Sequence, residues 1–308
     1  MQSAGIKRVG ILRGGNGKNY NSSLRNGGDI ISHINENLES KYKTFDILID
    51  KDGTWHLNGL PIKPEDLVHK IDLAWNTTNP NFENILNNLS IPYVGIGAMA
   101  SGFENSDELL RKHLKSVNVN IPRSIVLPLY QKDFDGDREK YAIKKAKEIH
   151  GKFPGPWIVK SFTPDKSMGI HLAKTFPQLI DAIEDGVKHE KSILIEEFIS
   201  GKVASVHALS KFRNEDVYAF PLGNTFGKFS QEEKDKLVKY AKDLFHHLGA
   251  RHYLKCDFIL NKRGNVYVYG IECTPNLKPN SHFSEVCTLV GTKSHHVMEH
   301  ILESVYNR

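Results

Sequence analysis

The order of the apolar segments predicts an open parallel α/β sheet in the N-terminal part of the chain, followed by α+β domains. Over residues 1–97, short apolar runs alternate with stretches of helical periodicity, a pattern that is typical of a parallel sheet. Farther along, apolar runs follow one another with fewer helices between them, as in antiparallel α+β domains. Hydrophobic residues make up 39 % of the 308 residues, which is enough apolar mass for more than one core.

The N-terminal elements are predicted from local patterns. Ile31, Ile34 and Leu38 recur at helical spacing and indicate a helix after the first strand. The cap-like run Ser106-Asp107-Glu108 indicates a second helix over about 106–117. Strands are predicted at the apolar runs 6–12, 45–50, 55–59, 71–75 and 91–97.

The C-terminal elements follow the same reasoning. Leu237, Ala241 and Leu244 recur at helical spacing and predict an amphipathic helix over 230–249 that Gly249 ends. Helices are also predicted over the charged segment 130–150 and over the last stretch, about 292–306. Strands are predicted at the runs 121–129, 156–162, 193–199, 205–209, 216–222, 253–260 and 265–273.

The composition excludes several classes of protein. Cys256, Cys273 and Cys287 form no CxxC pair, so buried thiols are expected rather than a disulfide framework or a zinc site. The net charge of +5 is spread along the chain without a basic arm, so no nucleic-acid partner is expected. The first residues lack the apolar run of a signal peptide, and no stretch approaches the roughly 20 apolar residues of a membrane span. A cytoplasmic protein without a membrane partner is therefore predicted.

Six motifs occur in an order that resembles one family. None is specific alone, but their order and spacing resemble those of the D-alanine–D-alanine ligases, which have the ATP-grasp fold, over nearly the whole chain. The resemblance implies a pre-ATP-grasp domain at 1–97, a central ATP-grasp subdomain at 98–195 and a metal-binding ATP-grasp subdomain at 196–308. The motifs are GGNGKNYNSSLRNG at 14–27, IPYVGIGAMAS at 91–101, PWIVKSFTPDKSMGI at 156–170, ILIEEFISG at 193–201, YLKCDFIL at 253–260 and VYVYGIECTPNLKPNSHF at 266–283.

The resemblance also implies a reaction. Members of this family join the carboxylate of one amino acid to the amine of another in peptidoglycan biosynthesis, and they use ATP and Mg²⁺ to form an acyl phosphate first. Phosphoryl transfer depends mainly on positioning and on neutralising charge, so cations, backbone donors and metal-binding carboxylates are expected. A homodimer formed through the first domain is a further expectation from the resemblance.

Four residues are implied in nucleotide binding. Lys112 and Lys160 match positions that hold the phosphates, Glu196 matches the residue that accepts a hydrogen bond from the adenine amino group, and Ile199 offers its backbone at the hinge. A lysine that emerges from an apolar strand is unusual because an unpaired buried charge is costly. The alternative for Lys160 is a surface lysine whose aliphatic stem lies along the protein while its ammonium group stays in water. The alternative for Glu196 is a charge at a sheet edge that discourages aggregation.

The metal-binding and substrate-binding residues are implied in the same way. Asp257 and Glu272, on adjacent strands, match a pair that shares Mg²⁺, with ordinary surface acids as the alternative. Substrate binding is assigned to Gly15 in the opening loop and to Asn280 and Ser281, where a turn serine is the alternative.

Three residues are implied in catalysis. Lys255 stands where the family has an arginine that stabilises the transition state. A lysine keeps the positive charge but cannot make the two parallel hydrogen bonds of a guanidinium group. In the phosphate loop, Lys166 adds positive charge and Ser167 keeps one hydroxyl group.

Several positions depart from the family pattern, and they leave three functions open. Asn19 replaces a glutamate, Trp75-Asn76 replaces a histidine–glycine pair, Val203 replaces the ribose-binding acid, and Gly270 replaces a metal-binding glutamate. The stretch between 209 and 230 is long enough for a hairpin but not for a hairpin and a lid. The hypotheses are a ligase of the D-alanine–D-alanine type, a nucleotide- or partner-binding protein without catalysis, and a ligase for other substrates.

Overall fold

The computed structural model describes residues 5–16, 20–79, 81–95, 113–116, 119–162 and 168–306. The chain divides into two compact units, one of Met1–Val117, Lys202–Phe258 and Gly270–Arg308, and the other of Asn118–Gly201 and Ile259–Tyr269. The strands are β1 (Lys7–Gly14), β2 (Tyr42–Ile49), β3 (Trp55–Leu57), β4 (Leu60–Ile62), β5 (Leu73–Asn76), β6 (Tyr93–Val94), β7 (Ser124–Leu127), β8 (Trp157–Ser161), β9 (His171–Ala173), β10 (Ile193–Glu197), β11 (Gly201–Ser210), β12 (Val217–Ala219), β13 (Tyr253–Asn261) and β14 (Val266–Glu272). The helices are α1 (Tyr20–Asn37), α2 (Asn81–Asn88), α3 (Lys132–Asp135), α4 (Arg138–Lys152), α5 (Phe176–Lys188), α6 (Gln231–His247), α7 (His282–Leu289) and α8 (Ser294–Tyr306).

The first sheet has the order β4-β3-β2-β1-β5-β6. The strands β2, β1, β5 and β6 are parallel, as predicted from the alternating pattern. The predicted open parallel sheet is confirmed, and one edge carries an added antiparallel hairpin of β3 and β4. Asn58 and Gly59 connect them with positive φ at both positions, as a two-residue hairpin turn requires.

The second sheet has the order β7-β10-β8-β9 and is antiparallel throughout. Its strands pack against α4 and α5, and Trp157, Val159 and Leu179 are among the fully buried residues of this core. The predicted helix over 130–150 is present, but it is interrupted at Gly136, which has a φ of 75°.

The third sheet has the order β12-β11-β13-β14. The predicted helix over 230–249 is observed as α6, where Ser230 and Glu233 form a capping box. The segment after β11 forms the predicted hairpin with β12, and the chain then returns along β11 through a bridge between Val203 and Phe226.

The core of the first unit combines β1, β5 and α1 with the third sheet, α7 and α8. Its buried residues include Ile11, Trp75, Phe220 and Val297. Of the predicted helix over 106–117, only residues 113–116 are described, and they are helical. In the described ranges, every helix is too short or too polar to cross a membrane. The three-domain division at 97 and 195 remains a prediction.

Candidate functional site

The opening loop follows β1 and is built around two glycines. Gly14 has a φ of 88°, and a Cβ there would lie 2.2 Å from the Ile49 carbonyl oxygen. The amide of Gly14 donates to Ser23 Oγ at 3.0 Å, and that of Gly15 donates to the Ile49 carbonyl at 2.7 Å. Gly15, the predicted substrate-binding residue, is therefore held in a tight, buried turn at the end of a parallel strand.

A small pocket lies at the end of the neighbouring strand β5, within the first unit. Its lining includes Asn76, Gly95, Tyr253, Cys273 and Thr274. The Asn76 side chain is buried, and its Oδ1 accepts from the Thr78 amide at 2.9 Å and from the Thr78 hydroxyl at 2.6 Å. Its Nδ2 meets no hydrogen-bond partner among the described residues. A buried amide donor of this kind needs a water or ligand oxygen.

The second unit brings together two of the predicted nucleotide-binding residues. Lys160 pairs with Leu194 in the ladder between β8 and β10, so Lys160 and Glu196 lie diagonally on one face. Lys160 Nζ is 2.6 Å from Glu196 Oε2, and both side chains are partly exposed. Ile199 lies two residues beyond the end of β10 and is half-buried.

Glu197 lies on the opposite face, as strand alternation predicts. Arg123 binds its carboxylate with Nε–Oε2 and Nη2–Oε1 distances of 2.8 and 2.9 Å. The hydrogen bonds from Arg123 lower the pKa of Glu197. Glu196 and Glu197 therefore have separate ionic partners on the two faces of the sheet.

The first unit brings Lys255, Asp257 and Glu272 together. Lys255 and Asp257 are two residues apart on one face of β13, and Glu272 lies on the neighbouring β14. Lys255 Nζ is 3.2 Å from Asp257 Oδ2 and 2.9 Å from Glu272 Oε1. Burial alone would lower the pKa of Lys255, but the hydrogen bond to Glu272 and the charge of Asp257 raise it above its ordinary value. The group is therefore an ammonium ion held between two carboxylates.

Two carboxylates on neighbouring strands fit a Mg²⁺ ion that takes its other ligands from phosphates and water. Among the residues that the structure describes, no cluster of three or more His, Cys, Asp or Glu side chains is placed to hold a metal. A side chain at Gly270 would not add a third acid without rearrangement, because its Cβ would lie 2.7 Å from Asp257 Oδ2. The donor set therefore suits one ion bound together with phosphate oxygens.

The predicted substrate loop precedes α7. Ser281 caps this helix by accepting from the Ser284 amide at 3.2 Å, and its hydroxyl donates to the Asn276 carbonyl at 2.8 Å. Asn280 is exposed and has a φ of 59°. Both residues lie at a tight turn, so Ser281 has a structural role whether or not it also binds substrate.

A buried cluster beside this loop was not anticipated. His207 Nδ1 lies 2.6 Å from the Tyr253 hydroxyl, and His207 Nε2 lies 2.7 Å from His282 Nδ1. Burial is the main cause that lowers the pKa of His207 to about 3. In the sequence, His207 falls on the predicted strand that becomes β11, and Tyr253 and Lys255 fall two residues apart on the strand that becomes β13. This pattern is the only available signal, and it does not identify His282 on α7 as the partner of His207.

Besides the cap-like run Ser106-Asp107-Glu108, four residues with a predicted place in the site lie outside the described residues. They are Asn19 in the opening loop, Lys112, and the phosphate-loop residues Lys166 and Ser167. Of the three cysteines, Cys256 and Cys287 are buried thiols as predicted, while Cys273 is half-buried on the wall of the pocket.

Comparisons with known proteins place these features in a family. The family model for the D-ala D-ala ligase C-terminus matches residues 116–229 and 224–303. A D-alanine–D-alanine ligase of Carboxydothermus hydrogenoformans is 24 % identical over 324 residues, covering 96 % of this chain and 97 % of the relative. One from Glaesserella parasuis is 27 % identical over 243 residues, covering 73 % of this chain and 76 % of that protein.

Solved structures show the same fold. D-alanyl-alanine synthetase A from Vibrio cholerae superposes with a TM-score of 0.73 at 17 % identity, covering 99 % of this chain and 100 % of that one. The VanG D-Ala:D-Ser ligase from Enterococcus faecalis superposes with a TM-score of 0.71 at 17 % identity, covering 98 % and 99 %. The family match spans more than half of the chain, and the chain therefore belongs to the D-alanine–D-alanine ligase family and has its ATP-grasp fold.

Proposed function

We propose that the protein is an ATP- and Mg²⁺-dependent ligase that joins the carboxylate of one amino acid to the amine of another. The observation that carries this proposal is the cluster of Lys255, Asp257 and Glu272 on neighbouring strands of a chain that belongs to the family. The cluster combines a cation with two carboxylates that suit one Mg²⁺.

The residues of the cluster have separate tasks in the proposed reaction. When bound, Mg²⁺ would supply positive charge that neutralises the phosphates during phosphoryl transfer. Asp257 and Glu272 hold the ion, and Ser205 fixes the first of these acids by donating to its Oδ1. Lys255 supplies a positive charge close to the developing negative charge of the acyl transfer.

The nucleotide-binding part of the proposal rests on the second unit. Glu196 accepts from the adenine amino group, Lys160 neutralises a phosphate, and Ile199 presents backbone groups. The ion pair between Lys160 and Glu196 supports this assignment, because it keeps both charges ordered in a partly buried place. When the nucleotide binds, Lys160 exchanges its carboxylate partner for a phosphate, and Glu196 exchanges the ammonium group for the neutral amino group of adenine.

The choice of amino acids is a separate part of the proposal. Asn76 places an amide donor in the small pocket beside Thr274, so we propose that the pocket favours a substrate or water with an acceptor oxygen. One structural neighbour is a D-Ala:D-Ser ligase, and another is a D-alanyl-alanine synthetase. A screen of substrates therefore has to include hydroxyl-bearing amino acids.

A catalytically inactive nucleotide-binding protein is the second candidate. The observation that favours it is Gly270, where a metal-binding side chain is missing and where even a methyl group would press on Asp257. Val203, an apolar residue in place of a ribose-binding acid, points the same way. This candidate predicts binding of ATP without turnover.

The experiment that separates the two candidates is release of inorganic phosphate from ATP and Mg²⁺ in the presence of pairs of D-amino acids. We expect release that needs both amino acids and that Asp257→Asn abolishes, while the exposed Asp243→Asn on α6 leaves it unchanged. Binding of ATP without release under any pair of substrates would reject the ligase and favour the second candidate. A homodimer in the cytoplasm remains part of the proposal, and the molar mass in solution tests the dimer.

A further inference from the structure

The ammonium group of Lys255 lies where a divalent cation would bind to the acid pair. Its Nζ contacts Asp257 Oδ2 at 3.2 Å and Glu272 Oε1 at 2.9 Å, so one oxygen of each carboxylate faces the same cation. The side chains of Lys255 and Asp257 are 19 % and 13 % exposed, whereas that of Glu272 is 50 % exposed. The contact between Lys255 and Asp257 is therefore the better shielded from water of the two.

The surroundings of Asp257 strengthen this arrangement. Ser205 donates to Oδ1, which leaves Oδ2 for Lys255. Gly270 has no side chain on this side, and a Cβ there would approach Oδ2 to 2.7 Å. A side chain at position 270 would therefore crowd the oxygen that faces Lys255.

We propose that Lys255 acts as a built-in counter-ion that keeps divalent metal out of the acid pair while no nucleotide is bound. The inference rests on the proposed function only in taking Asp257 and Glu272 as the metal ligands. With Lys255 in place, the three side chains of Lys255, Asp257 and Glu272 have a net charge of −1. A metal ion that binds the two carboxylates must then either displace the ammonium group or bind close to it. Without the ammonium, the same two acids carry −2 and attract a divalent ion.

Phosphate groups would change this balance. They bring negative charge of their own, supply the remaining oxygen ligands of Mg²⁺, and give Lys255 a new ionic partner. The metal would then enter together with the nucleotide rather than before it. A lysine allows this exchange because its flexible stem carries a single point charge that can move between partners.

The test measures binding of Mn²⁺ alone to the full-length protein, without nucleotide or amino acid, from the electron paramagnetic resonance signal of free Mn²⁺. We expect the Lys255→Met variant to bind Mn²⁺ at least about tenfold more tightly than the wild type, because an unbranched apolar side chain removes only the charge. Adding Asp257→Asn to this variant should remove the gained binding. Lys255→Arg should stay as weak as the wild type.

The matched control is Lys242→Met on α6, which removes a lysine from its ion pair with Glu215 at 2.7 Å. It should leave Mn²⁺ binding unchanged. Equal Mn²⁺ affinity in the wild type and in Lys255→Met would overturn the proposal, as would a gain that survives Asp257→Asn. If Lys255→Met does not fold, Lys255→Gln serves in the same comparison. Because neither ATP nor turnover enters this test, its outcome is independent of whether the protein is an active ligase.

Discussion

His207 Nε2 lies 2.7 Å from His282 Nδ1, and the two imidazole rings stack with their centroids 5.0 Å apart. The pair joins β11 to the first turn of α7, next to the loop that carries Ser281. His207 also contacts the Tyr253 hydroxyl, and the charge of Lys255 adds to burial and to His282 in lowering its pKa. A neutral imidazole at this place is therefore part of the packing that holds the loop.

The first prediction concerns the dependence of stability on pH. The pKa of His207 is about 3 in the folded protein, below the ordinary value of 6.5, so the unfolded state binds more protons between these values. Its contribution to stability is complete above about pH 6.5 and falls as the pH is lowered, by up to about 1.4 kcal/mol per pH unit. Urea unfolding from about pH 7.5 to 5.5 measures this slope.

The variant His207→Phe isolates this contribution. It should unfold about 1–3 kcal/mol more easily near neutral pH, because buried groups of Tyr253 and His282 lose a partner. Its acid slope should be shallower than that of the wild type. The exposed His69→Phe is the control and should keep the wild-type slope. An unchanged slope in His207→Phe would mean that this histidine is not the group that responds.

The second prediction concerns nucleotide affinity. Lys160→Met should weaken ATP binding by about 10- to 100-fold, because a charge-assisted hydrogen bond to a phosphate contributes about 1.5–3 kcal/mol. Titration calorimetry of the folded variant measures the dissociation constant. Lys145→Met, which removes an exposed ion pair with Glu148 on α4, is the control and should bind ATP normally. A normal affinity in Lys160→Met would leave Lys160 as a structural partner of Glu196 only.

The third prediction concerns the opening loop. Gly14→Ala should destabilise the protein by more than about 2 kcal/mol, because it places a side chain at positive φ and its Cβ against the Ile49 carbonyl. Gly28→Ala in α1 is the control, since a Cβ there has open space among the described residues. The control should stabilise the helix by about 0.5–1 kcal/mol. Thermal unfolding of both variants gives the comparison, and equal midpoints would contradict the steric argument.

The elements that local patterns specify were predicted well. The helix α6 was expected over 230–249 and spans Gln231–His247, because an amphipathic stripe and a capping serine are both local signals. The edge hairpin at Asn58-Gly59 was missed, although this dipeptide is itself a turn signal. The helix α5 was also missed, although Thr175 caps it and Pro177 lies in its first turn.

The candidate site could be predicted only in part. Strand alternation places Lys255 and Asp257 on one face of β13. The position of Glu272 relative to them depends on the register between β13 and β14, which the sequence does not specify. The contact between His207 and His282 joins residues 75 positions apart, so no local pattern reveals it. Contacts of this kind come from the packing of α7 on the sheet, which the sequence of either element does not contain.

The last prediction separates the structural role of Ser281 from its proposed role in binding a substrate carboxylate. Ser281→Ala should destabilise the protein by about 1 kcal/mol, because α7 loses its N-cap. It should also raise the KM for the second amino acid, because a hydroxyl group disappears from the loop. Ser281→Asn restores a capping side chain and should recover most of the stability without recovering the KM.

Ser230→Ala provides the matched control for this prediction. Ser230 caps α6 by accepting from the Glu233 amide at 3.2 Å, so its removal costs similar stability at a helix that has no proposed contact with substrate. Its KM should remain that of the wild type. If Ser281→Ala and Ser230→Ala change stability alike and neither changes the KM, Ser281 is only a helix cap, and the substrate carboxylate binds elsewhere.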